Sequence, residues 1–173
     1  YLVEHDNGIT NFHFEISSDL LGEEELELFA KMRPGLIQLE IGVQSTNGET
    51  VDAIHRHMDL DKLFHYVDSV HELGNIHQHL DLIAGLPYEN YERFGCSFDD
   101  LYAHEPDQLQ LGFLKVLKGT PIAAMKERYG IVARERAPYE IISNMWMSAG
   151  QLVRLKTIEN MLNIYYNRGG FSR

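Results

Sequence analysis

Polar side chains able to bind a small molecule recur at every second position of four short segments of the chain. Their carboxylate, imidazole and amide groups donate or accept hydrogen bonds. A spacing of two residues places such side chains on one face of a β-strand. In chain order they are His13, Glu15, Gln38, Glu40, Gln44, His77, His79, Asp81 and Gln110.

The positions between these polar residues are apolar, as Leu39 and Ile41 show in the second segment. Parallel sheets are usually covered on both faces, and their strands then read as continuous apolar runs. A carboxylate buried without a partner is costly, so the polar face must meet water, a ligand or another protein. We therefore predict a partial (β/α) TIM-like barrel with parallel strands and a polar interior. An α+β sheet with one solvated face is the alternative.

The elements that would position these residues alternate between strands and helices, which is typical of parallel βα units. Strands are predicted at about residues 11–16, 37–43, 77–83 and 109–115, and helices at 22–32, 48–57, 60–73 and 90–104. The barrel part is predicted at residues 1–117 and a helical C-terminal extension at 118–173.

No strand is predicted beyond residue 116. In the extension the pattern favours helices at 121–130 and 138–145, followed by a last helix. This last helix begins at Ser148, and Gln151 completes a capping box.

Composition narrows the class of protein. The 173 residues carry 15 basic and 26 acidic side chains, a net charge of −11, which disfavours a nucleic-acid partner. A single cysteine excludes a disulfide within the chain and suggests the reducing cytoplasm. No apolar run approaches the ~20 residues that a membrane span needs. Because the chain begins at Tyr1 and not at Met, we expect a longer protein whose missing N-terminal half is a partner of this part.

Several motifs together resemble the second half of the barrel of radical SAM enzymes, where SAM is S-adenosylmethionine. They are GVQS at 42–45, IHR at 54–56 and DLIAGLP at 81–87. The pattern is similar to the oxygen-independent coproporphyrinogen III oxidases and to cobalamin-domain radical SAM enzymes of the Mg-protoporphyrin monomethyl ester cyclase-like branch. In the tail, KGTPI at 118–122, YGI at 129–131 and RLKTIENMLNIYYNRGGF at 154–171 resemble the helical C-terminal region of an uncharacterised branch of those enzymes.

The resemblance implies an oxidoreductase that uses S-adenosylmethionine and a [4Fe-4S] cluster. Such an enzyme reductively cleaves S-adenosylmethionine to a 5′-deoxyadenosyl radical, which abstracts hydrogen from a small-molecule substrate. The related branches suggest a tetrapyrrole-like or cobalamin-assisted reaction, with cobalamin held by an upstream domain.

The resemblance also assigns four cofactor-binding residues. Glu15 ends a barrel strand, Gln44 belongs to the GVQ segment, and Arg56 follows it by twelve positions. Asp81 opens the DLI segment. Their chemistry agrees, because carboxylates accept bonds from ammonium and hydroxyl groups and Arg56 can bind a carboxylate with two parallel hydrogen bonds.

Two polar residues, Glu40 and His79, lie deeper along the strands than Gln44. We expect them to contact the substrate; since no motif assigns their role, the alternative is that Glu40 bonds only to Gln38 and His79.

The chain departs from the family pattern in its cysteines. The cluster motif CxxxCxxC is absent, and the single Cys96 lies in a predicted helix, where we expect a buried apolar role. The cluster ligands must then come from another part of the protein, and this chain alone is expected to be inactive.

Two other classes of function remain open on the sequence. His77 and His79 form an HxH pair like that of metal-dependent hydrolase barrels, but the only later histidine, His104, falls in a predicted helix. A non-catalytic α/β binding module is the third possibility. A CxxxCxxC motif upstream of this chain would favour the radical SAM class over both.

Overall fold

Four parallel strands in sequential order form the main sheet of the computed structural model, which describes residues 1–17 and 20–169. The strands are β1 (Phe12–Ile16), β2 (Ile37–Gln44), β3 (His77–Ala84) and β4 (Gln108–Phe113). The helices between them are α1 (Glu23–Phe29), α2 (Gly48–Ala53), α3 (Leu60–Leu73) and α4 (Tyr91–Tyr102). The predicted alternation is confirmed. Over the described residues the sheet is open, so it forms part of a barrel-like fold and not a closed barrel.

Local signals explain where the helices begin and end. The Asp59 side chain accepts a hydrogen bond from the backbone N–H of Lys62 at the start of α3. Gly74 then ends the helix with φ 67°, a left-handed conformation that glycine adopts without steric cost. At α4, Asn90 caps the first turn by accepting from the N–H of Arg93. These caps satisfy backbone donors that a helix leaves unpaired at its first turn.

The apolar rows of the strands face the helices and form the core. The buried strand side chains include Ile37, Leu39, Ile41, Val43, Leu80, Leu82, Leu109 and Leu111. Leu63, Val67 and Val70 of α3 and Phe94 and Leu101 of α4 join the same hydrophobic cluster. Burial of each such side chain contributes roughly 1.5–3 kcal/mol. The helices therefore cover one face of the sheet, and the polar row lies on the other.

The chain after residue 117 departs from its predicted structure. Helix α5 (Pro121–Ala124) has only four residues, and the helix predicted at 138–145 is wrong. In its place, β5 (Val132–Ala133) and β6 (Ile141–Ser143) form a small antiparallel pair. The prediction that no strand follows residue 116 is therefore wrong.

Backbone pairing explains this correction. The N–H of Ile141 donates to the carbonyl of Leu114, and the N–H of Val116 donates to the carbonyl of Tyr139. Residues 139–141 thus satisfy backbone groups just beyond β4, which a helix in this segment would leave unpaired. Local helix propensity is a weak preference that such tertiary pairing overrides.

The last helix, α6 (Ala149–Leu162), confirms the predicted capping box of Ser148 and Gln151. It continues as a π-helical turn, Asn163–Asn167. There the Asn167 side chain accepts from the N–H of Leu109 and donates to the carbonyl of the same residue, each at 3.0 Å. One side-chain amide thereby occupies an edge position of β4, where another strand could otherwise pair.

Among the helices of the described residues, none combines the length and the apolar composition required to cross a membrane.

We expect Asn167→Ala to lower the free energy of unfolding by about 1–3 kcal/mol, because it leaves two partly buried backbone groups of Leu109 unpaired. Chemical denaturation of the full-length protein measures this loss. Asn160→Ala, at an exposed position of α6, is the matched control and should change stability by less than about 0.5 kcal/mol. Equal losses in the two variants would contradict the role given to Asn167.

Candidate functional site

The polar face of the sheet is arranged in rows that run across the strands. In one row Glu15 of β1 is in register with Glu40 of β2, which is in register with His79 of β3. In the next row Gly42 is paired with Asp81. Neighbouring strands lie about 4.8 Å apart, so side chains in one row are within contact distance of each other.

Three residues of these rows converge. Glu40, His79 and Asp81 each contribute one nitrogen or oxygen atom to a group whose members all lie within 4.8 Å of one another. Nε2 of His79 lies 3.1 Å from Oδ1 of Asp81. The polar contact with Asp81 raises the pKa of His79, burial opposes the rise, and the charges of Asp81 and Glu40 add to it. The group therefore favours a cation, either a proton on the imidazole or another positive ligand.

A further contact ties this group to the edge of the sheet. Nε2 of His13 lies 2.9 Å from Oε2 of Glu40, and the other ring nitrogen of His13 lies 3.1 Å from Nε2 of Gln38. A line of polar contacts thus runs from β1 to Glu40, beside His79 on β3. It holds the Glu40 carboxylate in a defined orientation.

Gln44 and Arg56 meet above Gly42 at the C-terminal end of β2. A Cβ atom at Gly42 would lie 2.6 Å from Nε2 of Gln44 and 3.6 Å from Nη1 of Arg56. Gln44 has φ 72° and lies at a register shift between β2 and β3, so its side chain turns back over the strand. Glycine at position 42 therefore gives the Gln44 amide the space it occupies, whereas the distance to Arg56 would be an ordinary contact.

Beside this meeting point lies a cavity of about 310 Å³. Gln44 and Arg56 supply polar groups, and much of the remaining lining is apolar, with Ile54, Ile83, Leu86, Leu114, Ile122 and Met125. A concave, mostly apolar wall with a few polar groups is typical of small-molecule sites. Within the described part of the chain, Glu15 and Asp81 lie outside this lining. The structure thus brings Gln44 and Arg56 together, places Asp81 in the row paired with Gly42, and leaves Glu15 exposed on β1.

A buried carboxylate that the sequence did not reveal supports the loop after Gln44. Oε1 of Glu89 accepts hydrogen bonds from the hydroxyls of Ser45 at 2.6 Å and Ser97 at 2.7 Å. Glu89 is fully buried, and burial raises its pKa although both hydroxyl contacts and the charge of Arg93 lower it. It joins the loop after β2 to the loop after β3 and to α4.

Thr46 extends the same network. Its hydroxyl donates to Asp100 at 2.5 Å and accepts from Nη2 of Arg93 at 2.9 Å. The adjacent Asn47 donates to the carbonyl of Tyr88. The residues that follow Gln44 are therefore bonded to the opposite loop, and this fixes the backbone from which Gln44 projects.

Two expectations from the sequence change in the structure. Cys96 is exposed on α4, so the buried apolar role expected for it is wrong. The helix turns this position outward, while Phe94 and Ser97 face the interior.

His77 is exposed, with Nδ1 3.9 Å from Asp107, whereas His79 is buried beside Asp81. The HxH pair therefore does not converge on one ion, and the hydrolase alternative is not favoured.

The free energy of unfolding of Glu89→Gln, relative to that of the wild type, should increase as pH rises. Burial raises the folded pKa of Glu89 above its reference of 4.5, so ionisation disfavours the folded state. The penalty is absent below the unfolded pKa and is complete above the folded one. Denaturation curves from about pH 4 to about pH 8 measure the difference in the free energy of unfolding.

Glu92→Gln, at an exposed position of α4, is the matched control and should show no such trend. Glu89→Ala should be less stable by about 2–4 kcal/mol, because the two serine hydroxyls lose their acceptor. A constant difference between wild type and Glu89→Gln across this pH range would contradict the raised pKa.

The sequence matches one family model, a protein of unknown function (DUF4080), over residues 127–173. It is 31% identical over 107 residues to the oxygen-independent coproporphyrinogen III oxidase of Salmonella typhimurium, covering 58% of this chain and 23% of that protein. It is 28% identical over 119 residues to the coproporphyrinogen-III oxidase-like protein HemZ of Bacillus subtilis, covering 68% of this chain and 23% of that protein. The match thus spans about a quarter of the length of these relatives.

Solved structures share the fold. Coproporphyrinogen III oxidase (HemN) from Escherichia coli, described as a radical SAM enzyme, aligns with a TM-score of 0.64 and 23% identity, over 91% of this chain and 33% of that chain. The radical S-adenosylmethionine methyltransferase TsrM from Kitasatospora setae, with cobalamin and a [4Fe-4S] cluster bound, aligns with a TM-score of 0.65 and 14% identity, over 85% of this chain and 30% of that chain. The resemblance read from the motifs is confirmed: the chain is similar in sequence to oxygen-independent coproporphyrinogen III oxidases and shares its fold with part of two radical SAM enzymes.

Proposed function

We propose that this chain is the part of a radical SAM oxidoreductase that binds S-adenosylmethionine at the C-terminal edge of the sheet. The observation that carries the proposal is the convergence of Gln44 and Arg56 above Gly42, at the wall of one cavity. These two residues were selected by the motifs alone; they lie twelve positions apart in the sequence, and the fold brings them together. Catalytic and ligand sites of β/α barrels lie at this end of the strands.

The donors and acceptors at this edge fit the chemical groups of the cofactor. The Arg56 guanidinium can bind the carboxylate of the methionine moiety, and the Gln44 amide can bond a ribose hydroxyl. The apolar wall formed by Ile83, Leu86 and Leu114 suits the face of an adenine ring. The carboxylate of Asp81 offers an acceptor for the ammonium group. Glu15 lies one row lower, in register with Glu40, and its negative charge favours a positively charged sulfonium above it. We assign all four residues to cofactor binding.

A [4Fe-4S] cluster, when bound beside S-adenosylmethionine, supplies the electron that starts radical chemistry. Cluster irons are held by cysteine thiolates. The one cysteine of this chain is Cys96, which is exposed on α4, so the chain does not itself offer a set of cluster ligands. We propose that these ligands come from another segment of the full-length protein. An exposed free thiol also agrees with the reducing cytoplasm as its location.

The substrate that we propose is a small molecule bound over the polar face. Glu40 and His79 lie one row below the level of Asp81 and two or more residues below Gln44, so they face the interior beneath the cofactor site. They can donate to and accept from polar groups of a substrate held there. The cobalamin in the TsrM structure makes cobalamin a second cofactor to test in the full-length protein.

We expect Gln44→Ala and Asp81→Ala each to weaken S-adenosylmethionine binding about tenfold, equivalent to about 1.4 kcal/mol. Each removes a polar contact from a site that stays otherwise intact. Anaerobic calorimetry on the reconstituted full-length enzyme gives the dissociation constants. Asp61→Ala, on the outer surface of α3, is the matched control and should bind as the wild type does. Unchanged affinity in both site variants would refute the proposed site.

Gly42→Ala tests the same site through its shape. The added Cβ would come within 2.6 Å of Nε2 of Gln44, so the flexible amide must move away. We expect weaker S-adenosylmethionine binding with a change in stability below about 1 kcal/mol, because the clash is with a side-chain end. Gly95→Ala, where a Cβ meets no atom within 4 Å, is the control.

The double variant Gly42→Ala, Gln44→Ala sharpens this test. If the glycine acts by giving space to Gln44, the double variant should bind no more weakly than Gln44→Ala alone. Additive losses would show that Gly42 contributes in another way.

A further inference from the structure

We propose that Glu40, His79 and Asp81 form a binding site for one divalent transition-metal ion on the polar face of the sheet. The site shares Asp81 with the proposed cofactor contacts, and in it Glu40 and His79 would reach the proposed substrate through the bound ion. Its three ligand atoms all lie within 4.8 Å of one another. Bonds from zinc to nitrogen and oxygen ligands are ~2.0–2.2 Å long, so two ligands of one ion lie at most about 4.4 Å apart. Small side-chain movements are enough to close the remaining difference.

The backbone explains why these residues meet. His79 and Asp81 are two positions apart on β3, so both point to the same face. The parallel register pairs Glu40 with His79 directly across from β2. One neutral imidazole and two carboxylates bring two negative charges, which balance a divalent cation. A nitrogen ligand among carboxylates suits manganese, iron or zinc better than magnesium or calcium.

A second observation points to a ligand at this place. His79 is 8% exposed, and both its Nε2 and Oδ1 of Asp81 are buried without a well-aligned hydrogen bond, although the two atoms lie 3.1 Å apart. A buried polar group left without a hydrogen bond costs about 1–3 kcal/mol. A metal ion bound by both atoms would remove this cost.

The surroundings prepare Glu40 to bind the ion. The imidazole of His13 holds Oε2 of Glu40 at 2.9 Å, and Gln38 contacts the far side of that imidazole. Hydrogen bonds from neighbouring residues to a metal-binding side chain orient that side chain, and their loss commonly weakens metal affinity about 10–100-fold. The Glu40 side chain keeps 26% of its surface exposed, so an ion can reach it. Three protein ligands leave coordination positions open for water or a substrate group.

The test is a titration of the full-length protein with Mn²⁺ in anaerobic buffer without S-adenosylmethionine. Electron paramagnetic resonance of the free ion reports how much is bound. We expect one Mn²⁺ per chain, displaced by Zn²⁺ and not by Mg²⁺ at equal concentration. His79→Gln and Glu40→Gln should each weaken binding about tenfold or more. His77→Gln, on the same strand, and Glu27→Gln, on α1, are the matched controls and should bind as the wild type does.

A spectroscopic measurement separates the loss of a metal ligand from a loss of metal binding caused by misfolding. Electron spin echo modulation of bound Mn²⁺ should show one directly coordinated imidazole nitrogen in the wild type and in His77→Gln. Absence of stoichiometric binding up to millimolar Mn²⁺, binding without a nitrogen signal, or equal weakening in the controls would each overturn the site. Because S-adenosylmethionine is left out, none of these results depends on whether the proposed cofactor site is correct.

Discussion

Each central strand of the sheet buries one row of side chains beneath helices and directs the next row to the opposite, polar face. This division follows from the two-residue repeat of an extended chain. The apolar row, with Leu39 and Leu80 at its centre, makes the core, so the helices are committed to one side. The other side must then accept charged residues in a partly enclosed setting. The strand residues proposed to bind a ligand, such as Glu40, His79 and Asp81, depend on this constraint because it places them on one face.

At the carboxyl end of the sheet, hydrogen bonds between loops fix the backbone next to Gln44. Glu89 joins the loops that follow β2 and β3, and it does so through the hydroxyls of Ser45 and Ser97. A buried carboxylate is a costly support, but its fixed geometry leaves little freedom to the neighbouring Gln44. Gly42 completes the arrangement by giving space to the Gln44 side chain, which turns back over the strand. The edge proposed to bind the cofactor is therefore built as much by supporting residues as by those that would touch the ligand.

Deeper in the sheet, carboxylates of the polar face repel each other, and a positive charge between them relieves this repulsion. Glu40 and Asp81 bring two negative charges close to a single buried imidazole. Positive charge in any form relieves their repulsion, whether it is a proton on His79, a metal ion or a cationic group of a ligand. The same negative field reaches toward the edge where a sulfonium cofactor would bind. The proposed cofactor site and the deeper cluster thus share one electrostatic character, and Asp81 belongs to both.

The sequence by itself determined the strands, the helices between them, the face on which the polar residues lie, and the edge at which Gln44 projects. Short-range rules suffice for these features, because alternation, capping residues such as Asp59 and the glycine after α3 act over a few positions. Motif spacing also selected Arg56, which no local rule would have placed beside Gln44.

Only the tertiary structure decided which of these residues meet. Strand register pairs Glu40 with His79, and register depends on contacts between segments far apart in the chain. The burial of Glu89, the exposed position of Cys96 and the strand formed at Ile141–Ser143 likewise depend on distant partners. Backbone groups beyond β4 needed hydrogen bonds, and satisfying them outweighed the local preference for a helix. Local pattern thus specifies elements and faces, whereas long-range pairing specifies the site.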